Sequence, residues 1–458
     1  MLREQPWLKV ADGLAFELFQ AEEEGKDVSA IRERVNRILE MDPSDPTKER
    51  LAASVYDEIQ ALPVMKGYKY SEPSSLAGIK AERPVSKLVL KVDIHDDDEL
   101  FEKIYGAWMG RCAGCLLGQP VEGWKRERIK GLLAETGNYP VKYYISSDIP
   151  DEIRFKYGVT DEGSAYGSDH INWINNVSYM PEDDDINYTI IGMKIMEEYG
   201  EKFTPDDVAE CWLQNLPILH TCTAERVAYR NLVNCIYPPE SATFRNPYRE
   251  WIGAQIRADF YGYVTPGNPE LGAEFAWRDA SISHIKNGLY GAMFVAAMLS
   301  AAFTCDSIDD VINAGLSQIP ANCRLAEQVN KVVNWKKSGA NWEDAVDRIH
   351  EMYDENNPHH WCHVIPNAMI VCAGLLYGEM NFEKTIGITL QAAFDTDCNC
   401  ATAGSVVGML LGARSLPEKW TKPLNDQVRS GVDGFGLVKI SELAARTMRI
   451  AKSINKQI

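Results

Sequence analysis

Apolar positions recur every three to four residues along most of the chain, a period that predicts helix rather than strand. About three amphipathic helices are expected in the first sixty residues, for example over 7–24 and 28–40, with Pro43 and Pro46 marking a break. Residues 66–93 change character. Pro73, Pro84, several serines and the alternation Lys87-Leu88-Val89-Leu90-Lys91-Val92 suggest a connector holding one short strand. From Asp96 onward long helical runs resume, separated by loops of Gly, Pro, Asn and aromatic residues, with one small β-excursion expected over 141–156. The pattern reads as an all-α (mainly α) chain in two parts: a helical extension and connector over 1–92, then a multi-helix domain over 93–458.

Within that domain glycine recurs every fourth residue at Gly106, Gly110, Gly114 and Gly118, and again at Gly404, Gly408 and Gly412. On a helix this spacing makes a smooth stripe. Each interior glycine costs up to about 1 kcal/mol of helix propensity, so seven of them imply a return in dispersion contacts from close backbone approach. Two tightly packed helices are predicted, packed on each other or on separate neighbours. Gly118 suits a left-handed helix terminus and Pro120 enforces the stop, which leaves Glu122 on a loop.

Composition narrows the class. With 458 residues, 45% of them hydrophobic, the chain can bury a large core. A net charge of −19 excludes wrapping of nucleic acid or an anionic membrane surface, since both polyanions would be repelled. The opening MLREQPWLKV has no apolar core of signal-peptide length, so a cytoplasmic address is expected. The longest run free of charge, 287–305, is rich in Gly, Ala, Ser and Thr and suits a buried helix better than a membrane span. No repeat of 20–50 residues is evident. Eleven cysteines without disulfide-scaffold spacing fit a reducing compartment. Zinc binding by Cys112/Cys115 with Cys398/Cys400 is the weaker reading, because the first pair lies in a glycine-spaced helix and the second among hard carboxylates.

Two acidic clusters carry the chemistry. Asp183-Asp184-Asp185 precedes a helical run with Ile186, Ile190 and Met193 on one face, and Asp395-Thr396-Asp397 precedes the run over 401–413. Capping would need only one acid at each start, so the first cluster alone reads equally as cap or metal site. Adjacent carboxylates repel by roughly 4 kcal/mol per close pair at an effective dielectric near 20, so two clusters facing each other call for a hard cation, Mg²⁺ above all. An EF-hand loop fails at the second cluster, with Cys400 where glycine is needed and Val406 where a bidentate Glu is needed. A haloacid-dehalogenase-type phosphatase loop has the right local form, but residues 389–393 make a poor buried strand ahead of it.

These residues resemble the ADP-ribosylglycohydrolase family, the type of dinitrogenase reductase-activating glycohydrolase and the ADP-ribosyl-acceptor hydrolases, over roughly 99–450. Residues 110–123, Gly-Arg-Cys-Ala-Gly-Cys-Leu-Leu-Gly-Gln-Pro-Val-Glu-Gly, are similar to its opening helix and following Gly-x-x-x-Glu. Residues 183–189 and 395–404 are similar to its two aspartate motifs. The resemblance implies a compact orthogonal multi-helix domain, two Mg²⁺ ions with Mn²⁺ as an alternative, and an ADP-ribose-containing substrate, protein-linked or small. It implies metal ligation by Asp183, Asp184, Asp185, Asp395, Asp397 and Cys398. Glu122, Asp184 and Asp185 are the implied catalytic carboxylates, and Gly123, Gly253, Arg257, His284 and Asn399 the implied substrate contacts. The chain departs from the family at Cys398, where Thr or Ser is usual, at Cys115 for Asp, at Asp183 for Thr, and at Trp251-Ile252 in place of Gly-Asn-Gly. The expected reaction is metal-dependent hydrolysis of a ribosyl C1 linkage. A non-catalytic metal-stabilised relative that binds ADP-ribose is the rival.

Overall fold

The computed structural model describes residues 5–85, 90, 96–165 and 168–455. Among them are 23 α-helices and only two short antiparallel hairpins, Glu162–Ala165 with Ser168–His170 and Gln427–Ser430 with Gly436–Lys439, so the chain is all-α. Past Lys286 the helix Lys286–Ala302 is buried to its end, and Val364–Gly378 is buried throughout, as mainly apolar helices must be in a large core. The uncharged run over 287–305 is therefore core, and no helix of the described residues is long and apolar enough to cross a membrane.

The first sixty residues form the expected amphipathic helices, Val10–Glu23, Ser29–Leu39 and Lys48–Ala61. Their apolar stripes, such as Ile31, Val35 and Ile38, meet in a small core of their own. Charge ties this unit to the rest. Buried Arg249 pairs with Glu17 at 2.6 Å and Glu24 at 2.9 Å, and Arg324 reaches Glu23, Glu72 and Glu250 at 3.3, 2.9 and 2.8 Å. His359 and His363 also face Glu23, at 3.4 and 3.1 Å. Their Nδ1 atoms accept hydrogen bonds from Trp251 Nε1 and the Ile365 amide, which assigns the ring protons to Nε2, aimed at Glu23. That leaves no lone pair there for a cation. The strand expected over 87–92 falls, apart from Leu90, outside the described residues, as does the boundary at 92/93.

The β-excursion expected over 141–156 does not form. Residues 141–150 have no regular secondary structure and lead into the helix Asp151–Tyr157. The buried side chains of Val141, Tyr144 and Ile145 anchor an irregular segment, with Tyr144 Oη donating to the Trp420 carbonyl at 2.6 Å.

Both glycine stripes lie on helices that cross each other. Asp97–Gly118 runs against Thr396–Leu411 with Gly106 opposite Gly408, Gly110 opposite Gly404, and Gly118 opposite Thr396. A Cβ on Gly110 would stand 2.1 Å from the Gly404 carbonyl, and one on Gly106 2.3 Å from the Gly408 carbonyl, so no other residue fits. Gly118 differs from expectation. Its φ of −83° is right-handed, the helix passes into a 3-10 turn at Gln119–Val121, and the glycine is needed because a Cβ would meet Thr396 and Asp397. The left-handed residue is Gly123, with φ of +75°.

Candidate functional site

The glycine crossing ends where the two acidic clusters begin. Asp183 caps the helix Asp184–Tyr199, its Oδ1 accepting from the Asp185 amide at 3.0 Å and its Oδ2 from Gln119 Nε2 at 2.8 Å. Asp395 occupies the same position on Thr396–Leu411 but accepts no capping bond, so its carboxylate is turned outward from its own helix end. Its amide instead donates to Asn367 Oδ1 at 3.3 Å.

Three donor groups result: Cys115 with Asp183 and Asp185, Asp185 with Asp397 and Cys398, and Glu122 with Asp395 and Asp397, the ligand atoms of each lying within 4.8 Å of one another. Asp185 and Asp397 each belong to two groups and link them into a single cage. Asp185, Asp395 and Asp397 are buried, and Asp185 Oδ2, Asp395 Oδ1 and Asp397 Oδ1 have no hydrogen-bond donor. Buried carboxylate oxygens without a partner are costly, and converging oxygens of this kind fit a divalent cation.

The electrostatics agree. Burial and then the charge of Asp397 hold the Asp395 carboxyl well above the carboxylate range, and burial followed by Asp183 raises Asp397 to about 7. Burial likewise raises Asp183, Asp184 and Asp185. Glu122 is exposed at the mouth, so the charge of Asp397 is the leading cause of its elevation. Asp184 is half-buried beside it. One cation is built in: fully buried Arg111 bridges Asp185 Oδ1 at 3.1 Å and Asp259 at 2.9 Å.

A second cluster adjoins Asp184. Glu225, near the start of Thr223–Val233, is buried against Gly253, where a Cβ would stand 2.0 Å from its Oε1. Arg257 pairs with it at 2.7 Å. Burial, only partly offset by Arg257, raises the Glu225 carboxyl to about 7, and its charge helps to raise Asp184. Arg257 also bonds Asp279, Ser283 Oγ at 2.9 Å and the carbonyls of Gly253 and Asp279, so its donors are engaged and none is left for a phosphate. His284 lies 3.9 Å from Glu225, and burial followed by the Arg257 charge keeps it neutral. Asn399 is wholly buried, donating to Asn367 Oδ1 at 2.7 Å, and Gly123 is exposed beside Glu122.

The structure thus gathers Asp183, Asp184, Asp185, Asp395, Asp397, Cys398 and Glu122 at one place, with Gly123 at its edge. It sets Gly253, Arg257 and His284 around Glu225, and Asn399 behind the Asp395 loop. Sequence reasoning missed Arg111, Gln119, Glu225 and Asn367. Arg111 had a signal, a lone charge in the otherwise uncharged stretch between Ile104 and Gly118. The zinc pairing is not assembled: Cys400 Sγ turns to the Ile386 carbonyl at 3.6 Å. The segment before Asp395 is the helix Phe382–Gln391, which removes the strand a dehalogenase-type loop requires.

A sequence profile of the ADP-ribosylglycohydrolase family matches residues 96–453. The chain belongs to the ADP-ribosylglycohydrolase family. Hydrolysis of glycosidic ADP-ribosyl linkages is thereby its family-level activity. A solved structure, an ADP-ribosylglycohydrolase-related protein complex, is similar to this chain at 17% identity over 78% of it and 99% of that chain, with a TM-score of 0.43. No curated protein matches. The ADP-ribosylglycohydrolase match spans both acidic clusters and the striped helices, and it leaves the amino-terminal helices outside.

Proposed function

We propose that the chain hydrolyses the ribosyl C1 linkage of an ADP-ribosylated protein or an ADP-ribose-like small molecule, with divalent cations, Mg²⁺ foremost, in the carboxylate cage. The observation that carries this reading is the chain of linked donor groups drawn from both motifs, in which buried Asp185, Asp395 and Asp397 each keep one oxygen without a donor. Asp183, Asp185, Asp395 and Asp397 would hold the ions, with Asp184 and Glu122 at the open side. Such ions, when bound, polarise substrate oxygens and lower the pKa of a bound water.

The chain's own groups supply the rest. Positive charge develops on the sugar in an oxocarbenium-like transition state, and Glu122 and Asp184 present carboxylates at the mouth to stabilise it. Glu225, raised to about 7, holds or accepts a proton near neutral pH, and Arg257 with Gly253 fixes its orientation. Arg111 opposes the rise that burial imposes on Asp185 and holds that carboxylate in place.

The test is release of free ADP-ribose from ADP-ribosyl-arginine, ADP-ribosyl-serine and O-acetyl-ADP-ribose, with Mg²⁺ and with chelator. Metal-dependent release from one of them is expected. No release from any, alongside tight ADP-ribose binding by titration calorimetry, would replace the hydrolase with a binding protein.

A further inference from the structure

The cage is chemically lopsided. Its outer group, Glu122 with Asp395 and Asp397, offers oxygen alone and includes the exposed carboxylate at the mouth. Its two inner groups each add a sulfur: Cys115 beside Asp183 and Asp185, and Cys398 beside Asp185 and Asp397. Both cysteines are buried, at 0% and 5% exposure. Neither position is accidental to the fold, because Cys115 follows Gly114 on the striped helix while Cys398 lies in the first turn of the helix it crosses.

We propose that the inner end of the cage is a mixed sulfur–carboxylate site that takes a borderline divalent cation of the zinc class, while the outer all-oxygen end takes the harder Mg²⁺. The inference rests on the metal-dependent reading above and assigns the two ends different ions. Zinc binds sulfur at about 2.3 Å and carboxylate oxygen at about 2.0–2.2 Å, so tetrahedral ligands of one ion stand about 3.5–3.8 Å apart. The two sulfur-bearing groups are separate triads that share Asp185, and from their 4.8 Å limit an inward side-chain movement of about 1 Å reaches that spacing. Asp185 Oδ2 and Asp397 Oδ1, both buried and without a donor, are ready ligands within those groups. Mg²⁺ prefers six oxygens in octahedral array and gains little from sulfur, whereas thiolates favour zinc and its neighbours.

The full chain, stripped with chelator, would be dialysed against equal Zn²⁺ and Mg²⁺ and its metal content measured by mass spectrometry. Preferential zinc retention is expected. Loading with Co²⁺ should give a near-ultraviolet sulfur-to-metal charge-transfer band. Cys398→Ser and Cys115→Ser should each weaken Zn²⁺ about tenfold to a hundredfold and diminish that band, with Mg²⁺ affinity changed less than about threefold. Circular dichroism would establish that both variants are folded. A Co²⁺ complex without the band, or a band untouched in the double variant, overturns the proposal and leaves an all-oxygen cage standing. Failure of the wild-type chain to bind any divalent cation overturns both.

Discussion

Asp397 is the hinge of the site's electrostatics, since it serves two donor groups and is the leading cause of the raised Glu122 carboxyl. Its own carboxyl and that of Glu225 stand at about 7 in the folded chain, against roughly 3.9 and 4.3 when unfolded. The folded state therefore keeps protons that the unfolded state releases. Their stabilisation is complete below about pH 4 and is lost as pH rises through about 7. The metal-free protein should accordingly melt at a lower temperature at pH 8 than at pH 5, and Mg²⁺ should restore it at pH 8 with little effect at pH 5. A melting temperature that climbs across this window would contradict the assigned charges. Asp397→Asn removes repulsion, so the chelated variant should melt a few degrees higher at pH 8 and lose the metal-induced rise. Arg111→Met should cost about 3–5 kcal/mol in chemical denaturation, because Asp185 and Asp259 are left buried without their cation. The acidic clusters were legible because consecutive carboxylates exceed any capping need. Glu225 was not, since a single Glu in the first turn of a helix is ordinary, and only the fold sets it under Gly253 and beside Arg257.

At the scale of elements, the glycine period announced two smooth helices, and their pairing had to come from the structure. A stripe says how near a neighbour comes, not which neighbour it is. Gly110→Ala should cost at least about 1–3 kcal/mol, since its Cβ would strike a carbonyl rather than a yielding side chain. Metal affinity should fall with it, because the same two helices carry Cys115 and Asp397; unchanged stability and metal binding would mean the crossing is looser than drawn. The misread β-excursion has a related cause. The apolar positions Val141, Tyr144 and Ile145 record which side chains are buried, and a strand also needs a partner edge, which local sequence cannot supply. Gly118 was misjudged because glycine before proline suggests a terminus, whereas its role is clearance for Thr396.

Across the whole molecule, the amino-terminal helices are joined to the remainder through buried charge together with an aromatic patch where Phe16 packs on Tyr248 and Trp251. Deleting residues 1–92 would strand Arg249 without Glu17 and Glu24, while Arg324 would lose Glu23 and Glu72 and keep Glu250. The truncated chain should lose stability by about 3–5 kcal/mol from Arg249, measured by denaturant titration, and the milder Glu17→Gln should show part of this. The helical nature of this unit was plain from its periodicity; its attachment was hidden because the partners lie more than two hundred residues away. The striped crossing works over a similar span. It indexes residue 118 to residue 396 by close backbone approach and the bond from Thr396 Oγ1 to the Gly118 carbonyl, like two toothed racks, and the carboxylates inherit their separation from that meshing. A slip of one helical turn would displace the two halves by about 5.4 Å and dissolve the cage. Loops between the racks are thus at liberty to lengthen or change, and substrate preference can be retuned there while the ion seats stay where the glycines put them.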